Sequence, residues 1–257
     1  MTIQTHNSNV LMNTSTMAYR NLLKTMHNPD QFMDVIVQPV MFMLMFGYLF
    51  GGAIAGGVQA YLPTIVPGIL IQTMLSAASG SGSQIREDLD SGVFDRFKSL
   101  PMAHIAPLAG QLFGDVLRLI IATITSLTTG YFMGWRPEVG FGWIVVIGLL
   151  AILTGWALSW LFALVGLLAK HAETVQSFSL MTMLVLSFMS NAFVPLKSLT
   201  KPLQVIARFN PVTGVITAIR QILATGSWTQ SALLVLVFDL SIVVVFAPLT
   251  VWAYDRN

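Results

Sequence analysis

The side chains that can do chemistry are few in this chain and unevenly placed. It carries 13 Lys and Arg and 11 Asp and Glu, and Arg86, Glu87, Asp88, Asp90, Asp95, Arg96 and Lys98 crowd into the single run REDLDSGVFDRFK. A nucleotide-cradling P-loop requires glycine before its lysine. The lysines here follow Leu23, Phe97, Ala169, Leu196 and Thr200, so ATP is not bound by that route. His6, His27, His104 and His171 form no close ligand pair, and no metal site is expected. The absence of cysteine removes disulfides, thiolate metal sites and cysteine nucleophiles. GSGS (Gly80 to Ser83) lacks the GxSxG of a nucleophile elbow and any nearby base; its small residues suit close helix packing or a kink. No catalytic constellation remains, and an enzyme is not expected.

Two ionisable features stand out in apolar surroundings. Asp115 and Arg118, three apart, can pair on one helix face, as an architectural snap or as part of a gate. Asp239 is the one clear deep acid, which is where a proton-coupled carrier would place one. Its plainer reading is a neutral or hydrogen-bonded contact between helices.

The elements that must carry these residues are membrane helices. The chain is 55% hydrophobic and 9% charged, against roughly 25% charged in soluble domains, and from Val35 to Ile85 it has no Asp, Glu, Lys or Arg. An all-α polytopic membrane protein follows, with spans expected at about Val35 to Phe50, Leu62 to Ile85, Leu112 to Gly134, Trp143 to Ala169, Val175 to Val194 and Ser231 to Tyr254. Six spans put both termini on one side. With the termini cytoplasmic, Arg20, Lys24, Arg86, Arg96, Lys98, Lys170 and Arg256 lie inside, and Arg136, Lys197, Lys201, Arg208 and Arg220 outside. Residues 1–257 read as one transmembrane unit of the cell membrane, with a tail and interfacial helix over 1–30, a cytoplasmic loop over 86–111 and an outer re-entrant hairpin over 195–228. The bilayer is its medium, and no nucleic-acid partner is indicated.

Several segments between the spans have their own pattern. Leu11 to His27 reads as an amphipathic helix on the inner leaflet, with Arg20 and Lys24 at the headgroups and NPD as a break, or else as a frayed tail. In DSGVFDRFKSLPM, Ser91 can cap a short helix whose Val93, Phe97 and Leu100 form an apolar stripe, and Pro101 stops it. That stripe either packs on the protein's own helix ends or docks a cytosolic partner. A helix from Ala103 to Gly134 would be ~48 Å long, beyond the ~30 Å hydrocarbon core, which places Asp115 and Arg118 near the inner boundary. The first outer turn, GGAIAGGVQAYLPTIVPG, reads as a tight, partly embedded hairpin. In NPVTGVITAIRQIL, Asn210 can cap a helix with Pro211 in its first turn, and Arg220 lies opposite the apolar face. At ~20 Å this helix is too short to span, so it is either re-entrant or laid on the outer leaflet.

The order RNLLKTMHNPDQF, QPVMFMLMFGYLFGGAI, YLPTIVPGIL, DSGVFDRFKSLPM and NPVT resembles the type-2 permeases of ATP-binding-cassette exporters, most closely the daunorubicin and doxorubicin resistance permeases. The likeness spans nearly the whole chain. It implies that a separate ATPase subunit, carrying ATP and Mg that this chain does not bind, contacts the N-terminal helix at Tyr19, Arg20 and Lys24. It implies a second contact along the first cytoplasmic loop at Glu87, Asp88, Val93, Phe94, Asp95, Arg96, Phe97 and Lys98. Two permease protomers, identical or not, would enclose the pathway. One departure is His27 before NPD, where the family tends to carry a basic residue.

For the substrate, Met41, Phe42, Met45 and Phe46 in the first span and Met181, Met183, Phe188 and Met189 in the fifth supply soft surface that suits an amphipathic drug or lipid, or ordinary helix packing. Export of a lipid-linked glycan and ATP-independent carriage through Asp239 are the alternatives. Asp115, Arg118, Asn210 and Arg220 complete the candidates for pathway or gate.

Overall fold

A backbone in hydrocarbon must satisfy its own hydrogen bonds, and among the described residues every regular element is helical. The computed structural model describes residues 33–93 and 106–256. A π-helical turn, Met33–Val37, leads into α1, Gln38–Ala55. Then come α2 (Val58–Asp90), α3 (Ala106–Phe132), α4 (Phe141–Leu168) and α5 (Ala172–Phe188). A short 3-10 turn, Leu196–Ser198, precedes α6 (Lys201–Phe209), α7 (Pro211–Thr225) and α8 (Gln230–Arg256). Five stretches are long and apolar enough to cross a membrane: Val35–Ala55, Val58–Asp90, Pro107–Phe132, Phe141–Leu168 and Gln230–Arg256.

The expected fifth span, Val175 to Val194, differs from what is found. Helix α5 stops at Phe188 after 17 residues, ~26 Å at 1.5 Å per residue and short of a ~30 Å core. Residues 189–194 turn instead of continuing the helix. The turn between α1 and α2 is also tighter than expected. Only Gly56 and Gly57 separate α1 from α2, with Gly56 at φ 75° closing α1, while Pro63 and Pro67 sit inside α2. Left-handed backbone of this kind favours glycine. Ser91 ends α2, its N–H on the Glu87 carbonyl at 2.9 Å, where the sequence pattern has it starting the next helix.

Helix α2 is the central pillar, packed on α1, α3, α4, α5 and α7. Its residues are buried from Leu62 through Ile85 with few breaks. The outer surface of α8 is the opposite case, with Leu233, Leu234, Val237, Leu240, Val244, Val245 and Trp252 exposed. A helix apolar on its outside as well as its inside is a lipid-facing helix. At the other extreme of packing, α2 and α4 cross backbone to backbone. A Cβ on Gly82 would lie 2.4 Å from the Phe162 carbonyl oxygen, and one on Gly166 would lie 2.3 Å from that of Gly82. The small residues of GSGS therefore serve close packing.

The substitution Gly82→Val should separate α2 from α4 and cost at least about 2 kcal/mol, since backbone cannot yield as a side chain can. Thermal unfolding of the purified protein in detergent checks this, with Gly142→Val, where a Cβ meets nothing within 4 Å, as the tolerated control.

Candidate functional site

Two open spaces lie along the same three helices, α1, α2 and α5, at opposite ends. Toward the Arg86 end is a cavity of about 480 Å³ whose lining includes Gln38, Ser76, Ser79, Ser83, Gln84, Glu87, Arg118, Gln176 and Ser179, with Val35, Leu180 and Met183. Serine and glutamine in otherwise apolar helices are costly unless partnered, and part of the cost is met locally. Ser76 Oγ donates to Gln38 Oε1 at 3.0 Å, joining α2 to α1, and Ser79 Oγ donates to the Ser76 carbonyl at 2.7 Å.

Toward the other end is an apolar cleft of about 170 Å³ lined by Phe46, Phe50, Ile54, Tyr61, Phe188, Phe193, Val194 and Leu199. Its aromatic rings stack. Phe46 and Phe193 have centroids 4.5 Å apart, and Phe188 and Phe193 5.0 Å. Of the apolar residues expected on the pathway, Phe188 lines this cleft and Phe42 packs against the core, while Met41 and Met45 point outward and are exposed.

The wall behind the polar cavity is held by the Asp115–Arg118 pair. Arg118 Nη2 lies 3.1 Å from Asp115 Oδ1, as the i, i+3 spacing allows. Both are buried, Arg118 at 5% and Asp115 at 2% exposed, with Arg118 at the edge of the polar cavity. Ser81 Oγ donates to Asp115 Oδ2 at 2.5 Å, and Arg118 Nη2 donates to the Ala77 carbonyl at 2.5 Å. Both charges thus fasten α3 to α2, and each compensates the other in a place where either alone would be expensive.

The broken end of α5 is the second organised region. Leaving the helix at Phe188 frees carbonyls beside the apolar cleft. Asn210 Nδ2 donates to Leu186 O at 2.8 Å and Met189 O at 3.0 Å, while its Oδ1 accepts from the Val212 N–H at 2.9 Å and so caps α7. Arg220 Nη2 reaches Thr64 O at 2.6 Å, between Pro63 and Pro67, and Asn191 O at 2.9 Å. Tyr61 Oη donates to Phe193 O at 2.5 Å. Burial pushes the Arg220 guanidinium down to about 10, which leaves it a cation at neutral pH. Gly68 lets this knot close on α2, since a Cβ there would lie 2.0 Å from the Ala192 carbonyl oxygen.

Other expected residues fall elsewhere. Asp239 is fully buried and accepts from Thr154 Oγ1 at 2.7 Å, so it joins α8 to α4. Glu87 is exposed at the rim of the polar cavity, while Asp88 and Val93 are half-buried near the end of α2. Arg86 belongs to that end too. It pairs with Asp90, and its Nη1 donates to the Ala169 carbonyl at 2.8 Å, tying α2 to the end of α4. Tyr19, Arg20, Lys24, Phe94, Asp95, Arg96, Phe97 and Lys98 lie outside the described residues. Sequence reasoning does not single out Tyr61, Gly68, Asn191 or the serines and glutamines of the cavity. Polar residues inside a span were the available signal for the cavity; the carbonyl partners of Tyr61 and Arg220 have no sequence signal.

Replacing Asn210 by Ala should cost about 3 kcal/mol, combining a lost cap with buried carbonyls left unmet. Asn210→Asp should lose at least as much, because the carboxylate keeps the cap but sets an acceptor oxygen against the Leu186 and Met189 carbonyls. Thermal melts of the three proteins check the order. Arg118→Met alone should destabilise by about 3–5 kcal/mol, and adding Asp115→Leu should recover much of the loss, measured in the same way as a double-mutant cycle.

The chain matches the ABC-2 type transporter family over residues 12–224. It is 37% identical over 246 residues to the daunorubicin resistance ABC transporter permease protein DrrB1 of Streptomyces coeruleorubidus, covering 95% of this chain and 86% of that protein. It is 35% identical over 111 residues to the doxorubicin resistance ABC transporter permease protein DrrB of Mycobacterium tuberculosis, covering 43% of this chain and 38% of the relative. A putative transport permease, ycf38 of Pyropia yezoensis, is 25% identical over 231 residues, covering 88% and 78%.

Proposed function

This chain belongs to the ABC-2 type transporter family, and from that premise we propose that it carries an amphipathic, drug-like compound out of the cell as one of two permease protomers. It is a multi-pass membrane protein and the permease subunit of an exporter, and in ABC transporters ATP is bound by a partner subunit. In this reading α5 and the turn after it form a sixth, incomplete crossing, both termini are cytoplasmic, and α6 and α7 lie on the outer side. The first cytoplasmic loop, with Phe97 at its centre, receives the push of the partner ATPase, which holds Mg with its ATP.

The observation that carries the substrate reading is the change of wall along α1, α2 and α5. It is hydroxyl- and amide-rich in the cavity at the Arg86 end and aromatic in the cleft at the Arg220 end. A compound with a polar part and a planar apolar part meets complementary surface at both. The size of the larger space falls within the ~300–1,000 Å³ range of small-molecule sites, which favours a drug-sized cargo over a lipid-linked glycan. Proton-coupled carriage through Asp239 has less support, because Thr154 is the hydrogen-bond partner found and Asp239 forms no ion pair among the described residues.

Membranes containing this chain should yield a co-purifying ATPase subunit. Vesicles holding the pair should take up daunorubicin, the compound in the name of the relative DrrB1, only with ATP on the ATPase side. Uptake that follows a proton gradient without ATP would refute the reading. Phe97→Asp should weaken ATPase association at least about tenfold, the loss expected of an aromatic hot spot; unchanged association would remove the coupling role.

A further inference from the structure

Helix α6, KPLQVIARF, divides into three strips. Ala207 is buried and Gln204 half-buried toward the protein, with Gln204 Nε2 donating to the Leu199 carbonyl at 2.8 Å. Lys201 and Arg208, seven apart, share one exposed edge. The remaining arc is apolar and open: Leu203, Val205, Ile206 and Phe209 are all exposed, Phe209 at 86%. Its main packing neighbours are α7 and the 3-10 turn, and among the described residues that arc stays exposed.

We propose that α6 is a docking surface for anionic phospholipid of the outer leaflet, its apolar arc among the acyl chains and its cations on the lipid phosphates. The assignment to that leaflet rests on the topology proposed above. Charge decides the occupant. Lys197, Lys201 and Arg208 are all exposed and form no ion pair among the described residues. The sequence has no Asp or Glu between Glu173 and Asp239, and the remaining outer turn, between α3 and α4, offers only Glu138. A second copy of this chain would therefore bring one acid to three cations. A phospholipid surface brings a phosphate to each, and long basic side chains at the edge of an apolar helix face reach such headgroups while their stems stay in the apolar layer. Three cations on the outer side also run against the usual concentration of Lys and Arg in cytoplasmic segments. Headgroup phosphate accounts for their presence.

The test uses the full chain with its partner ATPase in vesicles of phosphatidylcholine, with or without phosphatidylglycerol. Native mass spectrometry of the complex released from the mixed vesicles should show retained phosphatidylglycerol. Retention should fall at least about tenfold in the triple variant Lys197→Gln, Lys201→Gln, Arg208→Gln, given the surface attraction each cation supplies. The variant Lys197→Arg with Lys201→Arg should retain as the parent does, which separates charge from misfolding. Equal retention by the Gln variant, or none by the parent, overturns the proposal. Because the chain has no cysteine, a fluorophore on Phe209→Cys reports directly. Emission shielded from aqueous quencher supports lipid burial, and efficient cross-linking of Phe209→Cys to a second copy overturns it. Labelling of Lys201→Cys by an impermeant thiol reagent on intact cells tests the topology separately. Labelling only after permeabilisation overturns the leaflet assignment, whatever the lipid arm shows.

Discussion

The constraint on which most of this structure depends is the carbonyl that loses its helical partner in largely apolar surroundings. Breaking α5 at Phe188 releases several such groups beside an apolar cleft, and each unmet one would cost about 1–3 kcal/mol. Asn210 and Arg220, the cap and a middle residue of α7, and Tyr61 of α2 meet them. That requirement fixes the place of α7, because the side chain that serves Leu186 and Met189 also caps that helix at Val212. It fixes α2 as well, since Thr64, Tyr61 and Gly68 all face the turn. The irregular segment is thus the most heavily cross-tied part of the fold.

The same accounting explains the buried ions at the other end. Arg118 and Asp115 are held by each other, by Ser81 and by the Ala77 carbonyl. Their position behind a polar cavity lets the wall be firm while its surface stays rich in hydroxyl and amide groups.

How much of this was legible in the sequence varies with the physical origin of the feature. Long apolar runs gave α1, α2, α3, α4 and α8 to within a few residues, because a lipid-facing helix must be apolar along its whole length. The Asn210 cap and the Asp115–Arg118 pair were legible because both are local, set by a spacing of two or three residues. The early end of α5 was not, since Met189 to Val194 carries no charge, glycine or proline that would break a helix. What stops the helix is a set of partners as far away in the chain as Tyr61 and Arg220. The prolines of α2 were ambiguous: Pro63 and Pro67 fall in both the turn reading and the expected span from Leu62, and they lie inside the helix. Helix α6 has a strong 3.6-residue pattern, but its nine residues are too few to stand out against the spans around them.

The Gly82–Gly166 crossing has a mechanical meaning. Where two helices meet through side chains, rotamer changes absorb small displacements, and the joint is compliant. Here the carbonyl of one strand of backbone sits against the α-carbon of the other, with nothing between them to rearrange. Such a joint has high stiffness. A displacement of α4 near Ala169, where Arg86 also ties it to α2, therefore meets no side chain at this crossing that could absorb it.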